Sequence, residues 1–401
     1  MNILFLTLSY STKKNKSSYE DLVNEFHKNG NNVFVACANE KKNNDKNGIE
    51  KRDGIQILRI GTGNITGDVG IIEKGISTVL IDRQMKKGIR RYWPNVKFDL
   101  IMYPTPPITI TNTIMYLKRK TGAKTYLLLK DIFPQNAVDL GMLRKSGLKK
   151  VLYNYFRKKE KKLYALSDHI GCMSPANCKY IIENNREIDL SKVEVCPNCV
   201  EKPKEPNWNR ANVELKGKYN INKEAVVFLY GGNLGKPQGI KFLIECMERE
   251  KDNKKAFFMV VGSGTDYKKI EKYISDSKNQ NVLLLNRLPK EEYKILVAQC
   301  DVGMVFLDYR FTIPNFPSRL LSYLSVGKPV LVATDPVCDM GVIAEENEFG
   351  YWCPSNDVEA FHNAVQKLVS SNRLKMGENG WRFLLNNYIC EKAYKQIVSH
   401  F

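Results

Sequence analysis

The chain has 401 residues, 43% of them hydrophobic and 26% charged, which excludes a disordered protein and allows two domains with separate cores. Its formal net charge of +19 predicts an anionic partner, which can be nucleic acid, a phospholipid surface or a phosphate-bearing substrate. No apolar run approaches the roughly 18 residues that span a bilayer, and no basic leader precedes the apolar residues 3–8. We therefore expect a cytoplasmic protein, soluble or peripheral to a membrane.

Apolar runs alternate with amphipathic stretches of helical period along the whole chain, as is typical of parallel βαβ units. In a first series, strands are predicted over residues 3–8, 33–38, 55–60, 100–103, 125–129, 170–173 and 193–196. The polar residues 201–212 predict a linker. In a second series, strands are predicted over residues 225–230, 256–261, 282–285, 302–307 and 329–333. Residues 381–401 predict one final amphipathic helix.

The two series predict an α/β protein made of two Rossmann-like, doubly wound domains with a cleft between them. We expect these domains over residues 1–205 and 206–380, and we expect the helix over residues 381–401 to return to the first domain. Ligands of such sheets bind beyond the carboxyl ends of the strands, so functional residues are expected in the loops that follow strands.

The ten cysteines lie mostly within apolar runs, which is typical of reduced thiols in a core. Cys196 and Cys199 alone have the C-x-x-C spacing of a zinc or thiol-exchange site. Because zinc needs four ligands and no second such pair accompanies them, we interpret this segment as a structural turn.

Two glycine-rich loops follow predicted strands of the second series. Residues 231–239 (GGNLGKPQG) precede a helix, and such a loop lets a diphosphate approach backbone amides, with Lys236 as an added positive charge. Gly262-Ser263-Gly264 is a similar loop after the next strand. Glycines also make tight turns, so neither loop by itself specifies a phosphate site.

Residues 313–330 (IPNFPSRLLSYLSVGKPV) predict an anion site at the start of a helix. Ser318 is placed to cap that helix, which would leave the amides of Leu320 and Leu321 free for an anion. Arg319 in the first turn opposes the usual preference of the helix dipole, so we expect it to face an anion. The alternative is a solvent-exposed arginine.

The positive charge is concentrated in two segments of the first series. Residues 83–97 include Tyr92 and Trp93, and residues 144–162 include Lys149, Lys150, Arg157 and Lys158. In the second segment an apolar face at helical spacing lies beside a cationic face, which suits a helix on an anionic membrane surface. The alternative is a helix packed in the core with solvated lysines. Nucleic acid is disfavoured, because the aromatic residues have helix-core spacing and form no stacking platform.

Several motifs occur along nearly the full chain in the order of one protein family. They are Tyr103-Pro-Thr-Pro-Pro107, Asp131-Ile-Phe-Pro134, Gly141-Met-Leu143, Pro197-Asn198, Gly232-Asn-Leu-Gly-Lys236, Val261-Gly-Ser-Gly264, Asp301-Val-Gly-Met-Val305, Phe316-Pro-Ser-Arg319 and Gly327-Lys-Pro-Val330. On these motifs the chain resembles the GT-B-fold retaining glycosyltransferases of family 4. Within that family it is similar to the branch of capsule and O-antigen synthesis, which includes transferases of N-acetylated deoxyhexosamines.

The resemblance implies transfer of a sugar from a UDP-linked donor, bound by the second domain, to a polyprenyl-diphosphate-linked or glycan acceptor, bound by the first domain at the inner face of the membrane. It implies a donor site made of Gly232, Asn233, Lys236, Gly262, Gly264, Arg287, Ser318, Arg319, Leu320, Leu321 and Ser322. Lys236 and Arg319 would stabilise the departing diphosphate, and Asp131 would face the acceptor or the anomeric centre. No cofactor is expected, and the lack of a D-x-D triplet predicts metal-independent transfer.

Two positions depart from the family pattern. The family has glutamates where this chain has Pro314 and Ser322, and the second glutamate usually holds the ribose hydroxyls. Two alternatives to a transferase therefore stay open. One is a catalytically silent scaffold partner of an active transferase. The other is a nucleotide-sugar epimerase, for which Asp131 is the one good acid/base candidate.

Overall fold

The computed structural model describes residues 1–12, 19–43, 45–67, 69–208 and 213–401. The chain forms two compact units, one made of Met1–Glu201 with Cys390–Phe401 and the other of Lys202–Ile389. Residues 209–212 of the predicted linker lie outside the described residues. Each unit contains a mainly parallel sheet with helical connections, which confirms the predicted α/β fold class.

The strands of the first unit are β1 (Asn2–Thr7), β2 (Asn32–Glu40), β3 (Gly48–Arg52), β4 (Ile55–Thr62), β5 (Leu100–Pro104), β6 (Lys124–Leu129), β7 (His169–Cys172) and β8 (Val193–Val195). Their order in the sheet is β3-β4-β2-β1-β5-β6-β7-β8, and neighbours pair in parallel except β3 with β4. Ile3, Leu4 and Phe5 of β1 are fully buried, as expected in a sheet covered on both faces. β3 is absent from the predicted strands, because its polar sequence suits a half-exposed edge.

The helices of the first unit are α1 (Glu20–Lys28), α2 (Ile71–Tyr92), α3 (Thr111–Thr121), α4 (Gln135–Asp139), α5 (Lys149–Leu166) and α6 (Pro175–Asn184). Helix α1 buries Leu22, Val23 and Phe26 against the sheet, which is the face that their spacing predicts. Helices α2, α3 and α5 each connect strands that run parallel, so each begins at the carboxyl edge of the sheet. Within the described ranges, the helices include none that is long and apolar enough to cross a membrane.

The strands of the second unit are β9 (Val226–Asn233), β10 (Ala256–Ser263), β11 (Val282–Asn286), β12 (Val302–Phe306), β13 (Val330–Thr334) and β14 (Gly350–Pro354). They pair in parallel in the order β11-β10-β9-β12-β13-β14. β14 is also absent from the predicted strands, because its sequence Gly-Tyr-Trp-Cys-Pro is short and ends in a strand breaker.

The helices of the second unit are α7 (Val213–Lys218), α8 (Ile240–Arg249), α9 (Tyr267–Ser277), α10 (Lys290–Gln299), α11 (Arg319–Leu324), α12 (Met340–Glu346), α13 (Val358–Ser370) and α14 (Arg373–Asn387). The apolar faces of α8 and α13 meet the sheet in one core that contains Phe228, Phe258, Phe306 and Phe361. This core supports the strands whose carboxyl ends carry the glycine-rich loops.

The end of the chain forms two helices instead of the one helix predicted over residues 381–401. Helix α14 ends within the second unit, and α15 (Cys390–Val398) follows after a break. At the break Cys390 N donates to Val200 O (2.9 Å), so the chain leaves helical geometry to bond with the first unit. Helix α15 then packs against α1 of that unit.

Candidate functional site

The predicted glycine-rich loops lie at the carboxyl ends of neighbouring strands in the second unit. Strand pairing places Gly262 level with Gly232 of β9 on one side and with Asn286 of β11 on the other. The structure therefore brings together at one sheet edge the predicted donor residues Gly232, Asn233, Gly262, Gly264 and Arg287. The side chain of Arg287 is exposed at this edge.

The two glycine-rich loops pack directly against each other. Leu234 N donates to Ser263 O, and Asp266 N donates to Leu234 O, both at 2.9 Å. A Cβ on Gly262 would overlap the carbonyl oxygen of Gly232, so the position excludes any side chain larger than hydrogen. The glycine pattern is thus explained first by the close approach of two backbones, and a contact with phosphate would be additional to it.

Asn233, the last residue of β9, and Lys236 in the loop that follows it are both exposed. Asn233 Nδ2 donates to Gln238 Oε1 (2.8 Å), and Tyr230 Oη donates to Asn233 O (2.7 Å). Lys236 begins a short 3-10 helix, Lys236–Gln238, with its side chain exposed. The ammonium group of Lys236 is therefore accessible to a ligand at this edge.

Helix α11 does not present the free amides that we predicted. Leu320 N donates to Pro317 O (3.3 Å) and Leu321 N donates to Ser318 O (3.1 Å), so tight-turn bonds occupy both amides. The Ser318 side chain is exposed and makes no capping hydrogen bond. The prediction of an anion site on the Leu320 and Leu321 amides is wrong, because the turn at Pro317 closes the first turn of this short helix.

Arg319 lies beside the loop after β9 and has an unsatisfied donor. Its guanidinium carbon is 4.5 Å from the ring centroid of Tyr230, which is a cation–π contact. Its Nη2 would lie 3.2 Å from a Cβ on Gly232, whose φ of +140° favours glycine. Its Nη1 is buried and has no hydrogen-bond partner among the described residues. Arg319 is therefore not an ordinary solvated arginine, and Nη1 is a candidate donor to an anionic ligand.

Three tyrosines that our sequence reasoning missed, Tyr230, Tyr293 and Tyr323, lie at the end of β9 near Arg319. Gly231 N donates to Tyr323 Oη (3.3 Å), and that hydroxyl donates to a backbone carbonyl of β9 (3.0 Å). A Cβ on Gly231 would overlap Tyr293 Oη, so this ring also closes on the end of β9. Burial raises the pKa of Tyr293 to about 12, so its hydroxyl stays neutral. Each tyrosine lies in a strand or helix where an aromatic residue is ordinary, so the sequence carries no signal for this cluster.

Asp131 follows β6 directly, at the carboxyl edge of the first sheet. Thr105 Oγ1 accepts from Asp131 N (3.1 Å) and donates to Asp131 O (3.0 Å), which ties this loop to the end of neighbouring β5. Asn136 Nδ2 donates to Asp131 Oδ1 (2.7 Å), while Asn136 Oδ1 is buried without a partner among the described residues. Burial raises the pKa of the Asp131 carboxyl to about 6, against the opposing effect of Asn136. Such a carboxyl can exchange a proton near neutral pH.

Some of the residues predicted to contact a membrane are buried or ion-paired within the unit, and the others are exposed. Trp93 is 5% exposed and packs in an aromatic cluster with Phe34 and Phe98, so the prediction that it contacts a membrane is wrong. Arg157 pairs with Glu160 and donates to Asn185 Oδ1 (2.7 Å), so its charge serves the fold of the unit. The remaining predicted residues, Tyr92, Lys149, Lys150 and Lys158, are exposed.

Pro314 and Ser322, the two departures from the family pattern, lie in different environments. Pro314 is buried, whereas Ser322 is exposed on α11. A ligand can therefore reach the Ser322 hydroxyl, although this side chain lacks the charge of a carboxylate.

The C-x-x-C segment contains free thiols. Cys196 and Cys199 are both buried and unpaired, and Cys199 Sγ lies 3.1 Å from Cys390 Sγ at the start of α15. Over the described residues, no cluster of His, Cys, Asp and Glu side chains has an arrangement that could hold a metal ion.

Known proteins similar to this chain are glycosyltransferases. A profile of the family described as Glycosyl transferases group 1 matches residues 212–382. The chain is 26% identical to the probable glycosyltransferase WbjE of Pseudomonas aeruginosa, over 72% of this chain and 71% of that protein. It is 24% identical to the putative colanic acid biosynthesis glycosyl transferase WcaI of Escherichia coli, over 64% of this chain and 61% of that protein.

The fold is also that of solved glycosyltransferases. Anabaena HepE, solved in complex with UDP-glucose, matches with a TM-score of 0.68 at 13% identity, covering 100% of this chain and 99% of that chain. At this identity the likeness concerns the fold alone, and it confirms the predicted GT-B class. The chain is a glycosyltransferase, and its residues 212–382 match the profile of the Glycosyl transferases group 1 family.

Proposed function

We propose that this protein transfers a sugar from a UDP-sugar to a lipid-linked or oligosaccharide acceptor in the synthesis of a bacterial surface polysaccharide. The observation that carries the proposal is the buried Nη1 of Arg319, which has no partner among the described residues and lies beside the loop after β9. The donor class is supported by HepE, which is described in complexes with UDP and with UDP-glucose. The polysaccharide product is supported by WcaI, which is named for colanic acid biosynthesis.

The donor diphosphate is proposed to bind at the carboxyl edge of the second sheet. Arg319 Nη1 would donate to a phosphate oxygen, and the exposed ammonium of Lys236 would add a second positive charge. The loop glycines would let the diphosphate approach the backbone, and Arg287, which follows β11, would contact the base. Ser318 and Ser322 expose hydroxyls on the segment that carries Arg319.

Transfer is proposed to proceed with retention of the anomeric configuration. The bond between the anomeric carbon and the diphosphate oxygen breaks, and both electrons stay on that oxygen. Arg319 and Lys236 stabilise the charge that develops there. The acceptor oxygen bonds to the anomeric carbon on the same face, and its proton passes to the departing diphosphate. Asp131, with its raised pKa, would orient the acceptor hydroxyl in the first unit.

Neither of the two alternatives is favoured. A silent scaffold has no need for a buried guanidinium with an unsatisfied donor, because leaving such an atom without a partner costs stability. The similar proteins are described as transferases, and none of these descriptions refers to an epimerase.

The test is thermal unfolding of the protein with UDP, GDP, CMP and their sugar conjugates, using the Arg319→Ala variant. A ligand at 100 times its dissociation constant adds about 2.7 kcal/mol, which is a rise in Tm of roughly 5 to 10 °C. We expect UDP-sugars to produce this rise in the wild type and to lose it in Arg319→Ala. NMR of the transfer product tests retention, because it reports the anomeric configuration.

Arg249→Ala is the matched control. Arg249 is an exposed arginine of the same unit that forms two hydrogen bonds with Glu359 (2.7 and 3.1 Å) on the surface. Its loss should leave the response to UDP-sugars unchanged. A wild type that responds to no nucleotide would contradict the proposal, and equal losses in both variants would show that Arg319 acts only through stability.

A further inference from the structure

Two helices of the first unit expose large aliphatic side chains near their N-terminal ends. Leu148 and Val151 at the start of α5 are 95% and 75% exposed, and Ile76 and Val79 in α2 are 57% and 51% exposed. Leu80 and Leu152 are exposed beside them. Single exposed aliphatic residues are ordinary, but a group on neighbouring helices marks an interaction surface. We call these six residues the α2/α5 tip.

The two parts of the tip lie on either side of α3. Helix α3 packs against both α2 and α5. In its first turn, Thr113 N donates to Asp82 Oδ1 of α2 (2.8 Å), and Asn112 Oδ1 accepts from Lys162 of α5 (3.1 Å). Residues 71–81 of α2 therefore precede the level at which α3 begins, and at 1.5 Å per residue they extend roughly 16 Å beyond it. The turns of α5 before Lys162 extend in the same direction.

The tip lies at the edge of the sheet that carries Asp131. Helices α2, α3 and α5 each begin at the carboxyl edge, because each connects parallel strands. Asp131 follows β6 directly at that edge, and α5 is the helix that leads from β6 to β7. A surface that binds the tip is therefore brought to the side of the unit where the proposed acceptor residue lies.

The charge around the tip is positive. The exposed basic residues near it are Lys74, Arg83, Arg144, Lys145, Lys149 and Lys150. Two acidic side chains of these helices are buried, since Asp82 accepts hydrogen bonds from α3 and Glu160 pairs with Arg157, whereas Glu73 is exposed and accepts from Asn64. The tip thus combines aliphatic side chains with six exposed basic residues, against one exposed acidic side chain, Glu73, among the described side chains of its two helices.

We propose that the α2/α5 tip inserts into the headgroup region of an anionic phospholipid bilayer. The aliphatic side chains would enter the boundary of the acyl chains, and the lysines and arginines would bind the phosphate groups. The inference deepens the proposed function, on which it rests for a lipid-linked acceptor. Of the residues predicted to contact a membrane, it keeps Lys149 and Lys150 at the start of α5 and leaves out Tyr92, Trp93, Arg157 and Lys158. It adds the exposed aliphatic residues near the start of α2.

The chemistry of the tip favours lipid over nucleic acid. Proteins that bind single strands stack bases on exposed aromatic rings, and those that bind duplexes need only cations on a polar surface. The exposed apolar side chains of the tip are aliphatic, and they gain nothing from contact with a phosphate backbone. Their transfer from water to the acyl region of a bilayer is favourable, because it lowers the free energy.

The test is co-sedimentation of the full chain with vesicles of phosphatidylglycerol and phosphatidylcholine, compared with vesicles of phosphatidylcholine alone. We expect binding to the anionic vesicles that weakens with added salt. The variants I76S/V79S and L148S/V151S should each weaken this binding about tenfold or more. The variant K149Q/K150Q, which keeps the aliphatic residues, should weaken it on the order of tenfold.

The control is I295S/V342S, which makes the same kind of change at exposed aliphatic residues of the second unit and should bind as the wild type does. Because all of the substituted residues are exposed, unchanged thermal unfolding should verify that each variant is folded. Absence of vesicle binding overturns the inference, as does full binding by both tip variants. Stronger binding to RNA than to anionic vesicles, lost in the same variants, would assign the surface to nucleic acid. The assay contains no nucleotide, so its failure leaves the UDP-sugar response untouched and is distinguishable from failure of the proposed function.

Discussion

The carboxyl edges of the two sheets differ in whether backbone atoms or side chains form them. In the second unit the edge is made of backbone: two glycine loops in contact, with Arg319 and its tyrosines beside them. In the first unit it is made of side chains, since Thr105 and Asn136 hold Asp131 and the α2/α5 tip stands exposed beside it. A backbone site suits a ligand part that never changes, such as a diphosphate. A side-chain site can be altered residue by residue and suits a variable acceptor.

The largest effect on the backbone-built edge of the second unit is expected for Gly262→Ala. The added methyl group would overlap the carbonyl oxygen of Gly232, which is fixed by the pairing of β9 with β10. Because a backbone atom cannot rotate away, we expect the free energy of unfolding of the second unit to fall by about 3 kcal/mol or more. Urea unfolding followed by tryptophan fluorescence measures this change, and the response to UDP-sugars should be lost with it.

Gly217→Ala is the control for this prediction. Gly217 lies in α7, and a Cβ there would meet nothing within 4 Å. Alanine in a helix is favoured over glycine by about 0.5–1 kcal/mol, so this variant should be as stable as the wild type or slightly more stable. If Gly262→Ala were tolerated equally well, the packing of the two loops would not be the reason for the glycine pattern.

In the first unit the comparable change, Asp131→Asn, should stabilise the protein while it lowers activity. The pKa of Asp131 in the folded chain, about 6, lies above its ordinary value of 3.8, so the charged carboxylate costs stability. That cost is on the order of 2–3 kcal/mol above pH 6, and it disappears as the pH falls from about 6 toward 3.8. Asparagine avoids the cost and can still accept from Asn136. Thermal unfolding at several pH values should show a gain at pH 7.5 that shrinks below pH 6.

Sugar transfer by Asp131→Asn should fall by roughly a hundredfold, because a group that receives or orients a proton contributes about that much. Asp252→Asn, at an exposed aspartate, should change neither transfer nor the pH dependence of unfolding. A variant that is more stable and fully active would exclude Asp131 from the proposed acceptor site, and it would leave the proposed donor site of the second unit unaffected.

The same contrast explains how much the sequence predicted. The buried strands and the loops at Gly232 and Gly262 were predicted, because long apolar runs and glycine spacing are local signals. The place of Arg319 at a helix start indicated that it is not an ordinary exposed arginine, and the structure partly buries it; that it faces an anion stays a prediction. The free amides of Leu320 and Leu321 were predicted wrongly, because a turn at Pro317 decides where those hydrogen bonds go.

The burial of individual helix side chains could not be predicted, because it depends on which face of a helix packs against a neighbouring element. Leu148, Val151 and Phe156 form one face by spacing, yet the structure buries Phe156 and exposes the other two. The reason is that α5 begins before the level of α3, and α3 is one of the helices that covers its later turns. Trp93 shows the converse, since a basic segment ends in a tryptophan that fills an aromatic cluster.

The smallest predicted effect is that of Ser322→Glu, which adds one negative charge at the carboxyl edge of the second sheet. Ser322 is exposed on α11 where the family has a glutamate, so the Ser322→Glu variant places a carboxylate in reach of a ligand without disturbing the core. Hydrogen bonds from two ribose hydroxyls to a carboxylate are stronger than those to a serine, and we expect UDP to bind about tenfold more tightly, ~1.4 kcal/mol. Isothermal titration with UDP measures this gain. Ser325→Glu, at the residue that follows α11, adds the same charge and should leave the affinity unchanged. Equal affinities in the wild type and both variants would mean that the ribose does not approach Ser322, and that this chain holds its nucleotide through the diphosphate contacts of Arg319 and Lys236.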